Sequence, residues 1–530
     1  MLGDSTKTTI LNAIEYVLYP YYNLSITDFD FYNCTVEEKI VIDITVGDIP
    51  NELLTEDKYG LYIRKFVIND QESDEPNNED KVYLTIRLEI DEFFQCEWKV
   101  ITDRNDGKSI NYKDRSKLRI GKIGENFYKD FNLGRGSVLN NYTSNSDELN
   151  KLILTEFRKI RNSIDFSSGQ EIIKDIIEKI NLSTKDYGVA PQHQYSAKLD
   201  IKISDNGFSN ISIYDGNVPL LLNGTGTKRL MSSAMNIYNL SNNSIILIDE
   251  IEYGLEPYRL RQLISNLKDF SLKGQVIFSS HSSISVVEVE AKNIVICKSN
   301  NGITECINIP NELQDIARSI PEALLSKKVI VTEGKTEYGI LKSLDKKWAI
   351  DDKNIEYYGT SIVEGCGDNT IIRAKKLKEL GYDVLIFVDS DKNEMITKAE
   401  ELADIGVKVM RWKKNVSTDE QIFIDIPENK LQILINEILK YIINDTVENC
   451  IKNGCSLDIK TTDYNLIKEK IGEQLARENL GSIAKKNSWY KTIDKGYFLG
   501  DVIIDSYNEL EINSDLKTVL EGIKDWAYGN

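Results

Sequence analysis

Val329-Ile330-Val331-Thr332-Glu333-Gly334-Lys335-Thr336-Glu337 is an apolar, β-branched run that ends abruptly in carboxylates. Val384-Leu385-Ile386-Phe387-Val388-Asp389-Ser390-Asp391 repeats the device further along the chain. Both runs read as buried strands of a parallel sheet. The stretches Ile355 to Tyr358 and Val407 to Trp412 are expected to be two further strands, with helical periods between all four. Four strands and three crossover helices make a small doubly wound domain, in which strand C-termini open onto one crevice. Glu333 and the Asp389-x-Asp391 pair are thereby brought together. Convergent carboxylates repel one another unless cations sit among them, and oxygen donors suit Mg²⁺ or Mn²⁺. Two such ions about 4 Å apart can activate water and stabilise the leaving oxygen of a phosphodiester. Either motif alone reads equally well as an acidic loop at a strand end.

Upstream, Ile245-Ile246-Leu247-Ile248-Asp249-Glu250 is another apolar strand ending in two carboxylates. Gly254-Leu255-Glu256-Pro257 follows, then a helix with Leu260, Leu263, Ile264 and Leu267 on one face. A second apolar strand, Gln275 to Ser279, leads to His281, one of two histidines in the chain. Strand, helix and strand in this order predict a parallel βαβ unit. Ahead of it lies the glycine loop Asn223-Gly224-Thr225-Gly226-Thr227. At the start of the chain, Lys7-Thr8 opens a helix whose apolar face is Ile10, Leu11, Ile14, Val17 and Leu18 and which Pro20 ends. A phosphate-binding loop needs a Lys for the β- and γ-phosphates and a hydroxyl for Mg²⁺ at a helix N-terminus. Lys7 and Thr8 supply them, although Thr6 stands where the usual pattern has its second glycine. Lys39 to Val46, Tyr62 to Ile68 and Val82 to Ile90 alternate as an antiparallel meander. Leu149 to Ile180 turns to a helical period and reads as a helical insert.

In this order the N-terminal pieces resemble the ABC-type ATPases of the SMC and OLD families. The resemblance implies ATP with Mg²⁺ held by Lys7, Thr8 and Asp249, with Glu250 orienting the attacking water and His281 as the H-loop histidine. Gly224 and Gly226 fall in the signature loop, which departs from the common Leu-Ser-Gly-Gly-Gln and would face ATP bound by a second copy. An ATPase fused to a C-terminal TOPRIM domain resembles the OLD (overcoming lysogenization defect) endonucleases, a family that includes the Gabija nuclease subunit. That resemblance implies Glu333, Asp389 and Asp391 as catalytic metal ligands, with Glu337 as a further ligand. Gly365-Cys366-Gly367-Asp368 matches the family's glycine-rich turn. Asp419-Glu420 stands where the family has an additional acidic ligand, and Glu420 is taken for that role. Lys485 to Lys491 resembles a Lys-containing element beside the scissile phosphate, with Lys491 stabilising transition-state charge; a surface lysine beside a packed Trp489 is the alternative. Family members place a strand and a glycine ahead of the P-loop. The chain is accordingly expected either to start at an internal Met or to lack that strand, with weak hydrolysis and nucleotide binding as a gate.

The expected fold class is α/β, with residues 1–145 and 187–320 forming an ABC-type ATPase of mixed sheet plus meander. A helical dimerisation insert occupies 146–186, a Rossmann-like TOPRIM core 321–425, and its helical extension 426–530. A chain of 530 residues exceeds a single core, which saturates near about 250 residues. No apolar run approaches the roughly 20 residues of a membrane span, so no membrane partner is expected. Seven scattered cysteines and no leader pattern point to a reducing cytoplasm. The net charge of −19 opposes binding to phosphate backbones, so affinity for DNA must come from local clusters: Arg411, Lys413 and Lys414, Lys485 and Lys486, and Lys491. Each cluster is equally a solvated face. The expected activity is nucleotide-regulated, metal-dependent cleavage or nicking of DNA in anti-phage defence. The expected assembly is a homodimer or higher even-numbered oligomer, with room for a helicase or reverse transcriptase partner. The alternative is an SMC-like DNA-end clamp with a silent TOPRIM. A topoisomerase would need a strand-cleaving tyrosine, and none of the 27 is marked by context.

Overall fold

The computed structural model describes residues 6–20, 24–65, 81–102, 105–124, 130–131, 170–189, 191–192, 195–199, 211–240, 243–351, 353–413 and 415–529. These divide into two compact units, Thr6–Glu288 and Val289–Asn530.

In the first unit, the helix Lys7–Leu18 packs beside an antiparallel sheet of β1 (Ile40–Gly47), β2 (Arg64–Lys65), β3 (Val82–Ile90), β4 (Cys96–Thr102) and β5 (Asn105–Ser109), ordered β1-β3-β4-β5 with β2 on β3. Alternation along β3 sends Leu84, Ile86, Leu88 and Ile90 into the core with Val17, Leu18, Trp98 and Val100. Each such side chain contributes about 2 kcal/mol of apolar burial. A separate parallel sheet holds the chemistry-bearing loops. It is formed by β6 (Ile120–Ile123), β10 (Ile245–Ile248) and β11 (Gln275–Phe278), with β10 central. Between them in the chain lie the helix Gln170–Lys185 and a small antiparallel sheet of β7 (Tyr195–Leu199), β8 (Ile211–Asp215) and β9 (Val218–Pro219). The sequence pattern did not announce β6, because Ile-Gly-Lys-Ile has no alternation and carries a glycine. The expected strand Tyr62 to Ile68 is described only as far as Lys65. Of the expected insert 146–186, residues 146–169 lie outside the described residues.

The second unit starts with a hairpin, β12 (Val295–Asn300) and β13 (Ile303–Asn308), followed by β14 (Lys328–Thr332), β15 (Thr360–Glu364), β16 (Asp383–Val388) and β17 (Lys408–Arg411). The last four are all parallel, in the order β15-β14-β16-β17. One expectation is corrected: Ile355–Tyr358 is a single 3₁₀ turn, and the strand follows it. Asn354 caps the turn by accepting from the Tyr357 N–H at 3.1 Å, and Gly359, at φ 79°, closes it. Local capping and a glycine outweigh the β propensity of the two tyrosines.

The helices after residue 425 share the core of this sheet. Ile330, Phe387 and Trp412 belong to one buried cluster with Phe423, Leu434, Ile467, Trp489, Tyr490 and Leu520. Within it the helix Lys335–Asp351 lies against the helix Ile493–Asp505 at glycine contacts. A Cβ on Gly339 would run into the Ile493 carbonyl and stand 2.7 Å from the Tyr497 nitrogen; one on Gly500 would stand 2.6 Å from Ser343 Cβ. This close approach holds Lys491, just ahead of the second helix, over the end of β14. No helix among the described residues is long and apolar enough to cross a membrane.

Gly339→Ala is expected to destabilise this unit by about 2 kcal/mol, as overpacking of tight contacts does. Urea unfolding followed by tryptophan fluorescence measures it, and an unchanged midpoint would show that the two helices can separate freely.

Candidate functional site

The parallel sheet of the first unit gathers four of the expected nucleotide-site residues. Asp249 follows β10, where its Oδ1 accepts from Thr8 Oγ1 at 3.2 Å and from Ser279 Oγ at 2.5 Å. Ser279 Oγ in turn accepts from the Glu250 N–H at 2.8 Å, so one hydroxyl from the end of β11 fixes both carboxylate residues. The His281 backbone N–H donates to Glu252 Oε1 at 2.5 Å, and Ser280 Oγ donates to Glu252 Oε2 at 2.7 Å. Burial and the nearby Lys7 ammonium hold the His281 imidazole below its ordinary pKa, hence neutral. Thr8, Asp249, Lys7 and His281 therefore stand together.

Gly226 sits against the Gly254 carbonyl with no room for a Cβ, which packs the expected signature loop onto the loop after Glu250. The fully buried Arg229 donates to the carbonyls of Gly124, Asp249 and Glu250. It ties the helix Thr225–Asn239 to the ends of β6 and β10. Ser279, Glu252 and Arg229 escaped the sequence reading. Only Ser279-Ser280, two hydroxyls at a strand end just ahead of His281, carried a signal.

The second unit brings six carboxylates to the C-terminal ends of β14 and β16. Glu333 Oε2 accepts from the Asp389 N–H at 2.8 Å, joining the two strand ends. Asp389 Oδ1 accepts from Thr418 N at 2.8 Å and Thr418 Oγ1 at 2.7 Å. Glu337 spends Oε2 on the Gly334 N–H at 3.0 Å, while Oε1 is buried outside any well-formed hydrogen bond. Gly365, after β15, has no room for a Cβ against Thr332 O and Thr370, and its N–H donates to Thr332 O at 2.7 Å; the expected glycine turn is thus seated beside Glu333.

Lys491 Nζ lies 3.6 Å from Asp419 Oδ2. Burial alone would lower the Lys491 pKa, but Asp419, Glu337, Asp389 and Glu333 together hold it above its ordinary value. Lys485 bridges Asp391 and Glu420, at 3.0 Å from each. Glu420 Oε2 also closes the helix cap by accepting from Ser417 N at 2.8 Å. Asp419 has a fully buried side chain whose two oxygens accept no well-formed hydrogen bond. Asp419 thus enters the inner cluster, while Glu420 stands with Asp391 and Lys485 and is half spent on its own cap. Thr418, Asp419 and Lys485 join the site beyond the residues assigned from sequence.

Burial first, then a neighbouring carboxylate, pushes the pKa of Glu333 and Asp389 above the ordinary value, and burial raises Glu337 against the pull of Lys491. Burial raises Asp419 likewise, against the pull of Lys491. The buried hard oxygens of Glu337 and Asp419, which lack well-formed hydrogen bonds, fit the donor chemistry of a divalent cation. Among the described residues no group of three or more Asp, Glu, His or Cys side chains is already arranged to hold an ion.

Residues 4–286 match the family model described as AAA ATPase domain, and residues 324–391 match the overcoming lysogenization defect protein-like TOPRIM domain. The chain belongs to the OLD family of ATPase–TOPRIM proteins. It is similar to the Old nuclease of Escherichia phage P2, at 26% identity over 207 residues, 34% of this chain and 35% of the phage protein. The matched stretch thus spans about a third of that relative's length. Among solved structures, the C-terminal region of the Burkholderia pseudomallei OLD protein aligns at 15% identity and TM-score 0.21, covering 38% of this OLD-family chain and 98% of that one. The SMC head domain from Thermotoga maritima aligns at 16% identity and TM-score 0.26, covering 58% and 87%.

The raised carboxylates fix a sign for stability against pH. The folded unit holds protons that the unfolded chain releases above about pH 4, so without metal its stability falls as pH rises through the raised pKa values. Melting scans in EDTA should show this decline, and Asp389→Asn should flatten it by on the order of 1 kcal/mol, because Asn keeps the acceptor for Thr418 and removes the charge. A mutant as pH-dependent as the parent would remove Asp389 from the coupled cluster.

Proposed function

We propose that this chain is a nucleotide-regulated, metal-dependent DNA endonuclease that nicks or cuts duplex DNA in anti-phage defence. The observation that carries the reading is the meeting of Glu333, Glu337, Asp389 and Asp419 with Lys491 at the ends of two adjacent parallel strands. Buried carboxylates that raise one another's pKa are costly to keep, and active sites are where such arrangements concentrate.

In this reading Glu333, Asp389 and Asp391 hold Mg²⁺ or Mn²⁺, with Glu337 and either Asp419 or Glu420 completing the set. The ions, when bound, supply a hydroxide nucleophile and neutralise the leaving oxygen. Lys491 is released from Asp419 to pair with a non-bridging phosphate oxygen and stabilise charge in the transition state. Thr418 keeps Asp389 oriented throughout. Lys485 is drawn away from Asp391 and becomes available to the DNA backbone, offsetting locally an overall charge that repels it.

At the first unit, Lys7 and Thr8 would take the phosphates and Mg²⁺ of ATP, Asp249 would help to hold the ion, and Glu250 would orient the attacking water. His281 would donate an imidazole N–H to the γ-phosphate. Gly224 and Gly226 present backbone N–H groups to the nucleotide of a second copy, which makes a homodimer or larger even-numbered assembly part of the proposal. A helicase or reverse transcriptase partner would supply the trigger.

Supercoiled and linear plasmid incubated with Mg²⁺ or Mn²⁺, with and without ATP, should be nicked or cut by the parent and left intact by Glu333→Ala. Lys491→Met should lower kcat by about 10²-fold or more with little change in KM, as loss of one transition-state contact does. If the parent binds DNA ends but cuts under no condition, the clamp reading takes its place.

A further inference from the structure

The hairpin β12–β13 carries a pair of thiols that neither the ATPase nor the carboxylate site uses. Cys297 and Cys306 are direct cross-strand partners, and their sulfurs stand 3.6 Å apart. The turn Asn301-Gly302, with both residues at positive φ, is a two-residue connection that makes Asn300 and Ile303 the first hydrogen-bonded pair. Counting back by alternation makes Cys297 and Cys306 a pair without hydrogen bonds between them. The Ile309 N–H bond to Ile294 O at 3.1 Å confirms the phase three residues further on. Non-hydrogen-bonded partners have Cα atoms about 4.5 Å apart, within the separation a disulfide spans. Side-chain rotation alone closes the remaining gap.

The pair is also accessible. Lys298, on the opposite face of β12, donates to Leu380 O at 2.9 Å and lies 4.1 Å over the Tyr382 ring, anchoring that face. The cysteine face is the other one: Cys306 is exposed and Cys297 partly so.

We propose that Cys297 and Cys306 are a reversible oxidation site for peroxides, closing to a disulfide across the hairpin. The Cys306 thiolate attacks one peroxide oxygen, the O–O bond breaks, and hydroxide leaves to give a sulfenic acid. Cys297 then attacks that sulfur, the S–S bond forms, the S–O bond breaks, and water departs. Two thiols are oxidised, one peroxide is reduced to two waters, and a dithiol reductant reverses the change. Oxidation ties together a two-stranded hairpin that is marginal by itself.

The test uses the full chain, reduced, freed of reductant and treated with equimolar hydrogen peroxide, then alkylated and digested with trypsin. Cleavage after Lys298 separates the two cysteines, so a disulfide appears as two joined peptides, 293–298 and 299–318, that dithiothreitol releases. Two of the seven thiols should be lost to alkylation, and hairpin amides should exchange at least tenfold more slowly. Cys297→Ser should give no joined peptide and leave Cys306 open to dimedone. Full alkylation of both thiols after peroxide, or their separate over-oxidation without joined peptides, would overturn the proposal. None of these readouts depends on nuclease activity.

Discussion

Mutual repulsion among buried carboxylates at the ends of β14 and β16 is the constraint around which the second unit is arranged. Two parallel strands side by side deliver Glu333 and Asp389 to one point, and the Asp389 N–H bond to Glu333 locks them there. Left alone, such a cluster would drive the strand ends apart. Three features oppose that. Thr418 gives Asp389 two donors, the Gly334 N–H satisfies one oxygen of Glu337, and Lys491 stands among the remaining charges. Two of these donors arrive from beyond the sheet: Thr418 from the first turn of the helix Thr418–Asp425, and Lys491 from the lead-in to Ile493–Asp505. The helical extension is therefore part of the site, which explains why its core is continuous with the sheet. Glycines 339, 496 and 500 serve the same end by letting the helix behind Lys491 approach the helix behind Glu333.

The first unit solves a different problem with the same topology. There one carboxylate, Asp249, is surrounded by hydroxyls from two other elements, Thr8 and Ser279, and its backbone is held by Arg229. There neutral hydroxyls satisfy the acid, whereas the acids of the second unit are offset by the ammonium groups of Lys485 and Lys491. Ser279 and Arg229 are structural couplers: each links the end of β10 to another element, so a displacement of the helix Thr225–Asn239 would be felt at Asp249 and Glu250.

Much of this was legible in the sequence because strand ends write themselves plainly. An apolar run that stops at Glu333, at Asp389 or at Asp249 specifies both the element and the acid that it exposes. The order of these runs was enough to name the family. What escaped has physical causes. The strand β6 contains a glycine and a lysine and is recognisable only once paired with β10. Tyr357 and Tyr358 favour a strand by propensity, yet Asn354 and Gly359 hold them in a turn. Asp419 and Glu420 are neighbours in sequence, and their roles are divided by helix phase: N3 of a capped helix must turn back to its own Ser417, which leaves the preceding residue to face the cluster.

Two non-glycine residues at the expected nucleotide site hold left-handed backbone. Thr6 takes φ 57° immediately ahead of Lys7, and it is the sole β-branched residue at positive φ among the described residues. That conformation costs a non-glycine residue roughly 1 to 2 kcal/mol. Nothing about starting a helix demands it, since an ordinary N-cap is extended. The left-handed residue precedes the helix Lys7–Leu18, whose Thr8 hydroxyl meets Asp249 at the end of β10. Glu250 repeats the pattern at φ 45° on the facing strand end, held there by Arg229 and Ser279. Left-handed backbone on both sides of the Thr8–Asp249 bond, at Thr6 and at Glu250, is a cost that the bonds from Arg229 and Ser279 offset on the Glu250 side.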